Sequence, residues 1–267
     1  MSTSWSIKWQ YLEGRYPQRL AEVFSLSCVE WVSVKQFLLR IPPDSKFLLG
    51  ALVFTFLCHG AALIATLVFL LPGLPSGHND LAHRVSYIGQ HALIWRIGWL
   101  PWQLTALSDL ILAVALVRTS WISRPAAFIS LGLTVTALLI EQPAEFRWTT
   151  SGVELARQAF LMQNASSYSA FESEIFRLTS YWAAFFYTLA AIAWSVCLAK
   201  AGTWNRFMTI LSIILWGLLI VISLGPLLLD GFPAIIVSSG NAIGFNVMMV
   251  WFGVATYLIW KNRRIED

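Results

Sequence analysis

Six apolar stretches, at roughly 47–71, 99–117, 125–141, 181–199, 207–229 and 234–260, constrain this chain more than any other feature. A helix rises about 1.5 Å per residue, so most of these runs are long enough to cross a hydrocarbon layer about 30 Å thick. The predicted fold is an all-α six-transmembrane-helix bundle occupying 47–264. A cytoplasmic or interfacial segment, 1–46, precedes it, and short helices fill the outer loops. Charged residues are only 12% of the 267, about half the share of a soluble domain. They gather in the connections instead of along helix faces, so no large soluble domain is expected.

The net charge of +4 belongs to helix ends, where it orients the chain and meets headgroups. The bilayer is the expected partner, and nucleic acid is not. With the N-terminus cytoplasmic, thirteen of the 18 basic residues fall on the cytoplasmic side. The other five, Arg84, Arg96, Arg147, Arg157 and Arg177, fall opposite. This bias predicts that both termini are cytoplasmic, in a prokaryotic cytoplasmic (inner), or plasma, membrane. The first 46 residues lack a continuous apolar core of the signal-peptide kind, so the first span is expected to direct its own insertion.

Between the spans, Leu20, Phe24, Trp31, Val34, Leu38 and Ile41 give 18–41 an amphipathic pattern. It suits an interfacial helix on the cytoplasmic leaflet or a helix packed beneath the bundle. Asp44 and Ser45 are candidate caps of the first span, and Pro233 opens the sixth. The segment 78–97 reads as helical in pattern but interrupted by His78, Asp80, His83, Arg84 and His91, and lies along the outer surface, with Pro101 in the first turn of span two. The long connection 142–178 reads as two short helices, about 151–163 and 168–178, separated at 164–167. Residues 200–206 form a hairpin.

Ionisable residues at mid-depth are the principal site candidates. His59 falls at the centre of span one and Asp109 at the centre of span two, hence at one height in the bilayer. An aspartate at a helix centre costs about 2.5–3.5 kcal/mol on insertion scales and should face the bundle. The two are therefore predicted to interact, with Asn246 of span six completing the cluster. Such a cluster handles protons, anchors a ligand or simply joins helices. Near the outer mouth stand Glu141, Glu145, Arg147 and Arg96, and a pairing of Arg96 with Glu141 or Glu145 is expected.

Of the fourteen tryptophans, Trp95, Trp99, Trp102, Trp148 and Trp182 gather at the outer interface, as in an aromatic belt. Trp194, Trp216 and Trp251 lie deeper and either pack or line a cavity. His83 and His91 are too far apart along one helix to share an ion, and the cysteines have no ligand or disulfide spacing. No metal and no cofactor is expected. Gly240 and Gly244 form a small-residue face for close helix packing, within the bundle or in a dimer.

A span, the tight 200–206 turn, another span, and then Asn241, Gly244 and Phe245 leading into Trp251, Gly253 and a basic end make up residues 178–264. This third of the chain resembles an uncharacterised family of bacterial six-helix integral membrane proteins, a domain of unknown function. Residues 1–46 and 141–148 depart from that pattern. The family has no settled activity, so the resemblance implies no residue roles.

Three function classes stand. The leading one is an accessory or binding protein for a lipophilic molecule or a membrane partner subunit. The alternatives are an intramembrane lipid- or isoprenoid-modifying enzyme, cyclase-like with Asp109 or Glu141 as its acid, and a small proton-coupled transporter using His59 and Asp109. Reporter fusions at residues 160 and 267 are expected to fall in opposite compartments, and a shared compartment would refute the six-span layout.

Overall fold

Long apolar runs without interior breaks become helices here, and every regular element among the described residues is helical. The structure, a computed structural model, describes residues 45–75, 80–119, 121–229, 232 and 234–266. The predicted amphipathic helix over 18–41, the Asp44 cap and the Pro233 start lie outside the described residues. Among the described residues nine α-helices follow in order: α1 Ser45–Ala65, α2 Leu81–Gln90, α3 Ala92–Arg118, α4 Arg124–Thr149, α5 Ser151–Met162, α6 Ser166–Phe176, α7 Ala184–Lys200, α8 Arg206–Leu228 and α9 Ala234–Glu266. A π-helical segment, Thr66–Leu70, extends α1, and another, Arg177–Ala183, joins α6 to α7. Among the described residues six helical segments are long and apolar enough to cross a membrane. The protein is a multi-pass integral membrane protein.

The spans pack in chain order, α1 on α3, α3 on α4, α4 on α7, α7 on α8 and α8 on α9. Helix α9 then returns to α1 and closes the ring. Close approach comes from small residues: Ala51, Ala62, Ser108, Ala113 and Ala115 are buried, as membrane interfaces without a hydrophobic drive require. Gly240 and Gly244 serve this packing inside the chain. A Cβ on Gly240 would lie 2.6 Å from Ile222, and one on Gly244 2.9 Å from Leu219, both on α8.

Lys200, Arg206, Arg118, Arg124 and Lys261 mark one end of the ring, the basic end. There Gly202 at φ +75 lets the chain leave α7 with Thr203 N–H bonded back to Leu198 O, a left-handed helix stop. Asn205 starts α8 by accepting from Met208 N–H at 2.8 Å.

The other end is capped. Helix α2, opened by Asp80 accepting from His83 N–H at 2.7 Å, packs against α5. Beneath them Leu70, Ile88, Trp95, Trp148, Tyr168 and Ile175 form a core. The Tyr87 hydroxyl donates to Phe69 O at 2.6 Å, and burial pushes its pKa up. Arg84 and Glu172, both buried, form an ion pair across the cap.

Two expected boundaries are corrected. Of the interruptions expected within 78–97, the helix break falls at His91 (φ −113, ψ 38), and 92–97 belong to α3 instead of the surface segment. Pro101 consequently lies inside that helix, not in its first turn. Helix α4 also runs past Glu141 and Pro143 to Thr149.

Removing one partner of a buried ion pair strands the other. Arg84→Ala is therefore expected to destabilise the protein by about 3–5 kcal/mol. Arg147→Ala breaks a half-exposed pair with Glu174 and should cost at most about 1 kcal/mol. Thermal unfolding of both variants in detergent checks this.

Candidate functional site

Helical phase assigns each span an outward and an inward side. On α3, Leu93, Leu100, Leu104 and Leu107 are exposed. Asp109 lies nine positions after Leu100, half a turn out of phase with that stripe. The same offset separates Tyr187 from exposed Val196 on α7, and Glu141 lies nearly opposite exposed Leu139 on α4. His59 stands likewise to Leu57. Four titratable side chains from four spans thus point to the inside of the ring. Asp109 still has 23% of its side chain accessible.

His59 sets the direction of the first contact. Its Nδ1 lies 2.9 Å from Thr55 O, and a carbonyl only accepts, so Nδ1 carries the hydrogen. In the neutral ring Nε2 is then a free acceptor. It faces Asp109 Oδ2 at 3.9 Å, too far for a direct hydrogen bond. Phe245 (5.9 Å between centroids) and Phe252 (5.2 Å) of α9 cover the imidazole.

A second contact lies further toward the cap. The Tyr187 hydroxyl donates to Glu141 Oε2 at 2.8 Å. One turn on, Glu145 is only 2% exposed, with Gln142 Nε2 at 3.4 Å from its Oε2. The arginines are engaged elsewhere: Arg84 with Glu172 and Arg147 with Glu174, Arg157 with Gly89 O and Arg118 over Phe47. His59 is the base recorded beside these acids among the described residues.

Tryptophans close the ladder at both ends. Toward the cap, Trp99 stacks on Trp148 at 4.7 Å, with Trp95 edge-on to both. Trp102 donates from Nε1 to Thr66 Oγ1 at 2.8 Å. Toward the basic end, Trp251 packs edge-on against Trp194 and Trp216, each at 5.0 Å.

Not every expected residue joins this site. Asn246 does not: it is exposed and donates to Ala242 O of its own helix at 2.8 Å. Phe245 takes the inward position, and the next residue is rotated about 100° away from it. Arg96 pairs with neither glutamate; its Nε donates to Thr149 O at 3.0 Å at the end of α4. Trp182 is 40% exposed and lies outside the tryptophan cluster. Tyr187 went unrecognised in the sequence because it sits among Phe185, Phe186 and Trp194 in an aromatic span.

Among the described residues no group of three His, Cys, Asp or Glu side chains converges as a metal site requires. No family model, curated protein or solved structure matches the chain.

A buried acceptor that loses its donor costs about 1–3 kcal/mol. Tyr187→Phe is expected to destabilise by that amount, and Glu141→Leu added to it should recover most of the loss. A double-mutant cycle on unfolding free energy measures this coupling.

Proposed function

We propose that this protein handles protons within the membrane, as a small proton-coupled carrier built around His59, Asp109, Tyr187 and Glu141. The observation that supports it is the inward-facing ladder of titratable groups on four spans. An isolated charge is expensive in a low-dielectric interior, and carboxyl and imidazole side chains facing a bundle interior are the usual material of proton relays. With Nδ1–H held by Thr55, His59 Nε2 can accept a proton from the Asp109 side. Tyr187 holds Glu141 in place and can pass a hydroxyl proton along. The two tryptophan clusters keep bulk water from short-circuiting the path. The basic end is cytoplasmic in this reading, on the positive-inside bias, and the membrane is a prokaryotic cytoplasmic one.

A second reading is favoured by one feature of the α3–α4 face. A groove of about 540 Å³ there is lined by Leu100, Gln103, Leu104, Leu107, Leu110, Leu138 and Gln142. Gln142 touches Glu145 from that groove, which brings a lipid-facing slot against a buried acid. A lipophilic molecule entering from the bilayer would meet an acid there.

Reconstituted vesicles carrying a potassium-driven potential and a lumenal pH dye separate the two readings. Proton uptake above that of empty vesicles is expected, falling to the empty-vesicle level in Asp109→Asn and sharply reduced in His59→Gln. Uptake unchanged in both variants would sink the proton-handling reading.

A further inference from the structure

We infer that the groove between α1 and α9 at the basic end holds one acyl chain of an anionic phospholipid, with the lipid phosphate at Lys46 and Lys261. This site is separate from the interior ladder and does not depend on how that ladder is read.

The groove has a volume of about 380 Å³ and is lined by Leu49, Val53, Gly253, Thr256, Tyr257 and Trp260. Gly253 keeps it open. A Cβ on Gly253 would meet no atom within 4 Å, whereas Gly240 and Gly244 have no room for one. Space at Gly253 is therefore not a by-product of close helix packing.

The groove has the order of an amphiphile. Lys46, Leu49 and Val53 are spaced three and four residues apart, so they share a face of α1. Lys46 is exposed and lies about 4.5 Å beyond Leu49 toward the basic end. On α9, exposed Lys261 directly follows Trp260, and the Trp260–Tyr257 pair (6.1 Å between centroids) marks interface depth. Two cations thus stand at headgroup level over an apolar slot, an arrangement that selects a negatively charged headgroup over a zwitterionic one.

Thr256 adds a polar contact at the depth of a glycerol ester. It lies five residues, about 7.5 Å, below Lys261. Its buried hydroxyl has no hydrogen-bond partner among the described residues. Threonine in a helix uses two χ1 rotamers, and a rotation toward the groove would offer the hydroxyl to an ester carbonyl. A second copy of the chain fits less well. A two-fold interface sets the same patch against itself, so a concave slot would face another concave slot and leave a void.

The test is native mass spectrometry of the full chain released from nanodiscs of equal phosphatidylglycerol and phosphatidylcholine. Wild type is expected to retain one phosphatidylglycerol. Gly253→Leu, whose Cβ meets no atom within 4 Å, and Val53→Trp, which fills the slot from the opposite wall, should each lose it while unfolding at the wild-type temperature. Lys46→Gln with Lys261→Gln should retain the two lipids without preference. The proposal is overturned if wild type holds no lipid or holds phosphatidylcholine equally. It is also overturned if well-folded Gly253→Leu and Val53→Trp keep phosphatidylglycerol, or if the released protein is a dimer with Gly253 in its interface.

Discussion

A polar group inside a hydrocarbon layer has no water to turn to, so its partner must come from the protein. Three tryptophans meet this demand by one device, in which an indole N–H donates to a hydroxyl on the neighbouring span. Trp102 reaches Thr66 across α3 and α1, Trp216 reaches Ser195 across α8 and α7 at 3.2 Å, and Trp251 reaches Ser212 across α9 and α8 at 2.8 Å. Two hydroxyls complete the set, Thr55 on Ser108 O and Ser130 on Ala190 O, each at 3.2 Å. Each bond ties two spans at a fixed rotation, because slipping either helix would strand a donor in the bilayer. The inward aim of Asp109, Glu141 and Tyr187 follows from those rotations.

Dispersion and aromatic geometry do what these bonds do not. Edge-on and offset-stacked rings are worth about 0.5–1.5 kcal/mol per pair beyond burial, and the two tryptophan clusters concentrate several such pairs at the ends of the ladder. The polar interior is thus held between rigid apolar layers.

Hydropathy made the six spans legible because an apolar run of sufficient length has few other ways to be satisfied. Their ends were less legible. Hydropathy falls where α4 leaves the hydrocarbon near Glu141, yet backbone bonding carries the helix on to Thr149. Depth was readable for His59 and Asp109, since both are centred in their spans. Rotation was not readable for Asn246, whose neighbour Phe245 holds the inward position. Arg84 and Glu172 are 88 positions apart, and no local pattern links them. The Tyr187–Glu141 bond was hidden for a related reason, because a phenol in an aromatic run looks like packing until its partner is placed.

The interhelical bonds also show where the ring is least constrained. At the α9–α1 seam, Phe245 and Phe252 lie against His59 and Met249 approaches Gly60. Between α3 and α4 the recorded bond is Arg96 to Thr149 O, at the capped end of both helices. Both lipid-facing grooves open at these two seams. The seams also meet the two ends of the ladder: Phe245 and Phe252 on α9 cover His59, and Gln142 on α4 joins Glu145 to the groove. Separating α9 from α1 would uncover the imidazole, and separating α4 from α3 would uncover the glutamates. A proton path needs its ends exposed in turn and never together. On the proposal that the ladder carries protons, displacing one span at each seam would expose its two ends in turn.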